Sequence, residues 1–211
     1  MLQWLRSNHE LLSVLTNIGM LVIWIAYLQV FVVNFRRQTR PKIIINLGSG
    51  RGLDTHCIVS NMSSDAIYVQ TMIAAVERED DRWMLPVTEL EGIEEWPSPT
   101  DLNLWSRQGP LLAGHMRDMG SLRGVIRHVV SNATGDDTAL DQLERLLPVR
   151  LELQVIAAYG SEELPIGARR GFEITRNEME RTVVRPLDVG TTQIRSRRER
   201  RAIVSLLEEQ L

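Results

Sequence analysis

The stretch VFVVNFRRQTRPKIIIN, residues 30–46, contains the boundary that organises the whole chain. Its first half ends an apolar run, and basic residues then follow closely at Arg36, Arg37, Arg40 and Lys42. Pro41 lies among them and cannot continue a helix, because its ring removes a donor and clashes with the preceding turn. β-branched residues begin at Ile43, which favours a strand. The stretch therefore predicts an apolar helix, a basic flank and the start of a β-rich domain.

The apolar run before this boundary is long enough to cross a bilayer. Residues 11–33 contain no charged side chain. As an α-helix the run would be about 34 Å long, against a hydrocarbon core of about 30 Å. A cleaved signal peptide is the alternative, but the run is too long for one and its basic residues follow the run instead of preceding it. We expect a transmembrane helix over residues 11–35.

The distribution of charge around this helix predicts its orientation. Arg6 precedes it and is offset by Glu10, whereas Arg36, Arg37, Arg40 and Lys42 follow it. Positively charged flanks remain in the cytoplasm. The N-terminus should therefore be outside and the C-terminal part cytoplasmic. The single cysteine, Cys57, excludes an internal disulfide and agrees with a reducing compartment.

Polar and aromatic side chains form a stripe along the predicted span. At 100° per residue they share one helix face. The candidate interface residues are Ser13, Thr16, Asn17, Met20, Trp24 and Tyr27. Such a stripe favours contact with another membrane protein or with a second copy, since polar groups in lipid need partners. The alternative is that the hydroxyls bond to carbonyls of their own helix and that Asn17 meets the headgroups.

Residues 42–190 have the pattern of a β domain. Short runs rich in β-branched residues, such as KIIINL and VRLELQVIAAYG, alternate with turns such as GSGRG and REDD. Strands that follow one another with little helix between them predict an antiparallel, immunoglobulin-like β-sandwich. TGDDTALDQLERLLP (134–148) predicts a short inserted helix, and the acidic segment 91–109 predicts a surface loop that bears Trp96 and Trp105.

The C-terminal segment 191–211 predicts a basic amphipathic helix. Its arginines, Arg195, Arg197, Arg198, Arg200 and Arg201, lie in the first turns, where the helix dipole disfavours positive charge. These side chains are candidates to bind anionic lipid headgroups or an acidic partner. The alternative is a helix docked on the β domain with its charges solvated. Nucleic acid is not expected, because aromatic residues are not interleaved with the arginines.

The chain therefore divides into a short extracytoplasmic N-terminus (1–10), the helix (11–35), a basic flank (36–41), the β domain (42–190) and the C-terminal helix (191–211).

Local catalytic and cofactor motifs are weak in this sequence. INLGSGRGLD (45–54) lacks the glycine spacing of a dinucleotide loop and the lysine of a phosphate loop, so a turn is the better interpretation. The four histidines show no metal-binding spacing. We expect no cofactor and no metal. A nonlocal active site assembled from His115, His128, Asp118 and Cys57 is the alternative hypothesis, and the sequence leans against an enzyme.

The architecture of the chain resembles that of a known type of membrane protein. The residues that carry the likeness are GMLVIWIAYLQVFVVNFRRQTRPKIIIN, CIVSNMSSDAIYV and RSRRERRAIVSLLEEQL. They resemble bacterial single-pass inner-membrane proteins with an N-terminal signal-anchor and a cytosolic β-rich domain. This likeness implies a location and no particular activity. The expected function is a membrane-tethered interaction module, an accessory or scaffold subunit whose partners are the bilayer and another membrane protein or itself.

Overall fold

The computed structural model describes residues 9–38, 40–78, 81–87, 107–135, 147–160 and 162–208. The chain divides into two compact units, Met1–Arg40 and Pro41–Leu211. Within the described residues it is mainly β with antiparallel sheets, together with three α-helices. The predicted inserted helix (134–148) and the acidic loop (91–109) lie for the most part outside the described residues.

The first unit contains helix α1 (His9–Gln38). Its segment His9–Phe35 has a mean hydropathy of 2.1, and its most apolar window is not buried against any other part of the protein. By length and composition, this one helix of the described chain could span a membrane. Arg36 and Arg37 lie in its last turn, so the helix continues into the predicted basic flank before it ends at Gln38.

Strands in the described part of the second unit form two antiparallel sheets. A three-stranded sheet has the order β1-β2-β6, and a larger sheet has the order β10-β8-β7-β3-β4, with β5 also paired to β3 and β9 to β8. The bounds are β1 (Ile43–Leu47), β2 (His56–Asn61), β3 (Ile67–Arg78), β4 (Asp81–Pro86), β5 (Gly109–Leu111), β6 (Met116–Ser121), β7 (Val149–Tyr159), β8 (Ile166–Arg176), β9 (Thr182–Pro186) and β10 (Thr192–Ile194).

The main core takes side chains from both sheets. Ile45 and Val59 of the smaller sheet belong to the same buried cluster as Leu153 and Phe172 of the larger sheet. Side chains alternate along the first part of β7: Val149, Leu151, Leu153 and Val155 are buried, whereas Arg150 is exposed. These apolar strands therefore hold the second unit together through one shared core.

Helix α2 (Leu122–Thr134) completes this core and was not predicted. The Ser121 hydroxyl accepts a hydrogen bond from the Gly124 amide at its N-terminus, and Gly135 ends it in a left-handed conformation with φ 69°. Its buried residues are Leu122, Val125, Ile126, Val129 and Val130, which follow helical spacing.

The connection between β2 and β3 differs from the simplest interpretation of SNMSSDAIYV, in which one strand returns beside the other. β2 belongs to the smaller sheet and β3 to the larger one. Asn61, fully buried, stabilises the crossing: its side-chain amide donates to the carbonyls of Asp65 and Leu111, each at 2.9 Å, and its carbonyl accepts from the Ser63 amide. An immunoglobulin-like arrangement of these strands stays a prediction.

Candidate functional site

Helix α3 (Arg197–Glu208) contacts the larger sheet through Ile203, the buried apolar side chain among those described on this helix. Ile203 is buried with Ile73, Ile156 and Ile194 in a small cluster on the face of the sheet opposite the main core. The helix begins after Ser196, whose hydroxyl accepts a hydrogen bond from the Glu199 amide at 3.1 Å. Residues 192–194, within the predicted C-terminal helix, instead form strand β10.

Arg200 anchors α3 to the turn between β7 and β8. Its guanidinium donates to the Pro165 carbonyl at 2.8 Å and to the Leu164 carbonyl at 2.5 Å, and it lies 3.0 Å from a Glu162 carboxylate oxygen. The Arg200 side chain is only 11% exposed. Among the five arginines proposed to bind lipid or a partner, this one is therefore engaged inside the protein.

The other four arginines of that set face solvent. Arg195, Arg197, Arg198 and Arg201 are all exposed. Nearby, Glu199 lies 3.9 Å from Arg169 on the sheet, a long contact between half-exposed groups that stabilises little. The basic segment thus combines one structural arginine with four outward charges. Binding of lipid or a partner by these four remains a prediction.

The segment before α3 is bound directly to β1. Gln193 accepts from the Ile43 amide at 3.0 Å and donates to the Ile43 carbonyl at 2.5 Å. The Thr191 hydroxyl accepts from the Ile45 amide at 2.9 Å and donates to the Ile45 carbonyl at 3.1 Å. We call these four hydrogen bonds the β1 clasp. The clasp joins the first strand of the domain to the residues that lead into its last helix.

Several loops meet at the end of the domain where β1 begins, which we call the proximal end and define by Lys42, Met62 and His115. The Met62 amide donates to the Lys42 carbonyl at 2.8 Å, and the Asn61 amide donates to the His115 carbonyl at 2.9 Å. The larger sheet reaches the same end, because the Tyr159 hydroxyl donates to Asp65 at 2.8 Å.

The turn that anchors α3 also lies at the proximal end. The Glu162 amide donates to the Tyr159 carbonyl at 2.8 Å, and Glu162 is the carboxylate that pairs with Arg200. The docked helix, the β1 clasp and the residues that follow α1 are therefore gathered at one end of the domain. Lys42 of the predicted basic flank is exposed there.

The stripe residues of α1 are exposed along the helix. Ser13, Thr16, Asn17, Met20, Trp24 and Tyr27 all lie on its surface. The Thr16 hydroxyl donates to the Leu12 carbonyl at 2.8 Å, as the alternative interpretation expected, so this group does not require a partner in lipid. The Trp24 and Tyr27 rings pack edge to face with centroids 6.3 Å apart. The helix–helix interface stays a prediction.

The four residues of the hypothetical active site have different surroundings. Cys57 is fully buried in the main core, and His115 is exposed in the turn before β6. Asp118 pairs with His56 instead, with 2.6 Å between His56 Nδ1 and an Asp118 carboxylate oxygen. His128 lies half-buried on α2. The buried thiol is not presented to a substrate at the surface with the histidines, and the hypothesis gains no support from this geometry.

At the end opposite Lys42, a charged cleft of about 610 Å³ lies between the β1–β2 loop and the β8–β9 hairpin. Arg123 pairs with Asp54 at 2.7 Å, and Arg51 and Arg181 also line the cleft. We call the end of the domain that carries this cleft the distal end. Gly50 has φ 129°, and a Cβ there would lie 2.3 Å from the Asp54 carbonyl oxygen, so backbone geometry explains the glycine in this turn.

Comparison of the chain with protein-family models, with curated protein sequences and with solved structures finds no match. The function of the protein therefore has to be sought in the physical arrangement of its own residues.

The burial of Cys57 makes a measurable prediction. Burial, reinforced by the negative charge of Asp118, raises the pKa of the Cys57 thiol from 9.0 to about 12. The thiol of the unfolded chain loses its proton at a lower pH than the buried thiol of the folded chain. The stability that folding gains from the neutral thiol is therefore complete below pH 9 and is lost as the pH rises toward 12. Between these values, the free energy of unfolding should fall by about 1.4 kcal/mol per pH unit more than in Cys57→Ala.

Urea unfolding of the full chain in a mild detergent across this alkaline range measures the difference. If the free energy of unfolding falls equally steeply with pH in the unaltered chain and in Cys57→Ala, the core does not hold the thiol in its neutral form.

Proposed function

We propose that the protein is a membrane-tethered cytosolic interaction module of a bacterial inner membrane. In this proposal α1 crosses the bilayer with its N-terminus outside, and the β unit, an immunoglobulin-like sandwich, is in the cytoplasm. The observation that carries the proposal is the division of the chain into an apolar helix whose most apolar window is not buried and a β unit with its own core. Exposed apolar surface on this scale needs a nonaqueous environment.

The basic surface of α3 supports a second contact with the membrane. The chain between Gln38 and Ile43 can span at most about 18 Å when fully extended. The β1 clasp then ties Gln193, and with it the start of α3, to Ile43. The exposed Arg197, Arg198 and Arg201 are thereby kept within reach of the headgroups. Each basic residue near an anionic surface contributes about 1 kcal/mol.

Tethering would let a small domain act through weak contacts. Confinement beside a membrane raises the effective concentration of the domain near membrane partners, so weak contacts suffice. The stripe on α1 would select the partner within the bilayer, either another membrane protein or a second copy. The distal end of the domain would be turned toward the cytoplasm and its proteins.

Substitutions in α3 separate lipid contact from docking. In the full chain in nanodiscs, anionic lipid should slow amide hydrogen exchange in α3 relative to neutral lipid. The triple variant Arg197→Gln, Arg198→Gln, Arg201→Gln should lose this lipid dependence with an unchanged urea midpoint. Arg200→Gln should instead destabilise the docked helix by about 2 kcal/mol, because it leaves two partly buried carbonyls and the Glu162 carboxylate without their partner.

In the Arg200→Gln variant, exchange in α3 should therefore accelerate in both lipids. If exchange in the unaltered chain is the same in anionic and neutral lipid, the proposed lipid contact of α3 is wrong.

The stripe on α1 has a matched control on the opposite face. Asn17→Leu should weaken association of the solubilised chain with itself or its companion by about threefold, the equivalent of one average hydrogen bond of about 0.6 kcal/mol between membrane helices. Gln29→Leu removes an amide from the other face and should have no effect. Measuring the native mass of each variant after gentle solubilisation reports how strongly it associates. Equal effects of the two substitutions would contradict an interface along the stripe.

A further inference from the structure

The proximal end of the domain carries an unusual set of exposed apolar side chains. Met62 is 53% exposed, Leu112 is 55% exposed and Met116 is 72% exposed. Met62 lies in the turn after β2, Leu112 lies in the turn between β5 and β6, and Met116 is the first residue of β6. Their exposure in water is unfavourable, and three such residues together are more than the scattered single ones of an ordinary surface.

Backbone hydrogen bonds bring these two turns together. The Gly114 amide donates to the Asn61 carbonyl at 2.8 Å, and the Asn61 amide donates to the His115 carbonyl at 2.9 Å. In the sheet, Met116 is the register partner of Ser60. The three apolar residues therefore lie close together in the fold, and we call Met62, Leu112 and Met116 the proximal apolar patch.

The same point is where the chain arrives from α1. The Lys42 carbonyl accepts from the Met62 amide at 2.8 Å, and the Lys42 amide donates to the Ser63 hydroxyl at 2.9 Å. The patch is thus fixed to a residue that follows the end of α1 at Gln38 after only a few positions. If α1 spans the bilayer, this short connection keeps the patch close to the membrane surface.

The charge around the patch is also suited to a membrane surface. Lys42, whose carbonyl is bonded to the Met62 amide, is exposed beside it. Of the carboxylates at this end, Asp65 accepts from Tyr159 and Glu162 pairs with Arg200, whereas Glu163 in the same turn is exposed. Exposed apolar side chains with flanking cations are the composition of segments that lie in the boundary between headgroups and acyl chains.

The distal end has the opposite character. Its cleft is lined by charged side chains, among them Arg51, Asp54, Arg123, Glu180 and Arg181. Met179, in the β8–β9 turn at that end, is an exposed apolar residue and is 75% exposed. The ends of the domain thus differ in the way expected of a protein that rests on a membrane with one end and faces water with the other.

We propose that the proximal apolar patch, Met62, Leu112 and Met116, inserts into the headgroup region of the bilayer that α1 spans. The patch fixes the tilt of the domain, so that its proximal end lies against the membrane and its charged cleft faces the cytoplasm. This inference rests on the proposed function, because it requires α1 to be in the bilayer. It adds a contact made by the β domain itself and independent of the arginines on α3.

Site-directed fluorescence in the full chain tests the insertion. Single cysteines are introduced as Met116→Cys and, as a control of matched residue type and exposure, Met179→Cys. A third variant, Val22→Cys, reports on α1. Each is labelled with an environment-sensitive nitrobenzoxadiazole dye in nanodiscs of phosphatidylglycerol and phosphatidylcholine. Nitroxide-bearing lipid quenches dyes in the bilayer, and iodide quenches dyes in water.

The unaltered chain shows whether buried Cys57 takes up label, and if it does, the variants are made in a Cys57→Ala background. We expect nitroxide lipid to remove most of the emission at positions 116 and 22 and little at position 179, with the reverse order for iodide.

Each other result overturns a different statement. Quenching by lipid at position 22 but not at position 116 would leave α1 in the bilayer and refute insertion of the patch. Equal lipid quenching at positions 116 and 179 would refute the tilt of the domain. Absence of lipid quenching at position 22 would refute the proposed function and the insertion with it. Repeating the measurement with Met62→Cys distinguishes a local effect at position 116 from insertion of the whole patch.

Discussion

The organisation of the domain depends on how the open edge of β1 is satisfied. An edge strand exposes alternate amides and carbonyls, and leaving such groups buried without partners costs about 1–3 kcal/mol each. Here the groups are paired by side chains and not by another strand: Gln193 binds both polar groups of Ile43, and Thr191 binds both of Ile45. Buried Arg170 adds a second donor to the Ile45 carbonyl at 2.6 Å.

This arrangement has consequences for the whole second unit. It closes one side of the core between the two sheets, because β1 belongs to the smaller sheet and residues 191–193 run into β10 of the larger one. It also couples the beginning of the domain to its end. α3 is then held from two sides, by the clasp through the preceding residues and by Arg200 and Ile203 through its own contacts. In the proposed function, the same coupling keeps a basic helix beside the membrane.

Sequence patterns predicted the elements whose signals are local. Strand β7 follows from the alternation of apolar and polar residues over 149–155, and the β1–β2 turn follows from glycines such as Gly50. Helix α2 could have been predicted as well, since Ser121, the apolar spacing from Leu122 to Val130 and Gly135 are ordinary helix signals. The clasp could not, because it joins residues about 150 positions apart through side-chain contacts that leave no periodic trace. For the same reason, nothing in the sequence RSRRERR separates structural Arg200 from exposed Arg201.

Hydrogen exchange of the Ile43 and Ile45 amides, measured on the full chain, tests the clasp most directly. Both amides should be protected in the unaltered chain, and Gln193→Ala should accelerate exchange at Ile43 roughly tenfold, together with the amides of α3. Thr192 is an exposed neighbour on β10, and Thr192→Ala should change neither the exchange at Ile43 nor that of the α3 amides. Rapid exchange at both amides in the unaltered chain, or α3 protection that is indifferent to Gln193→Ala, would contradict the role assigned to the clasp.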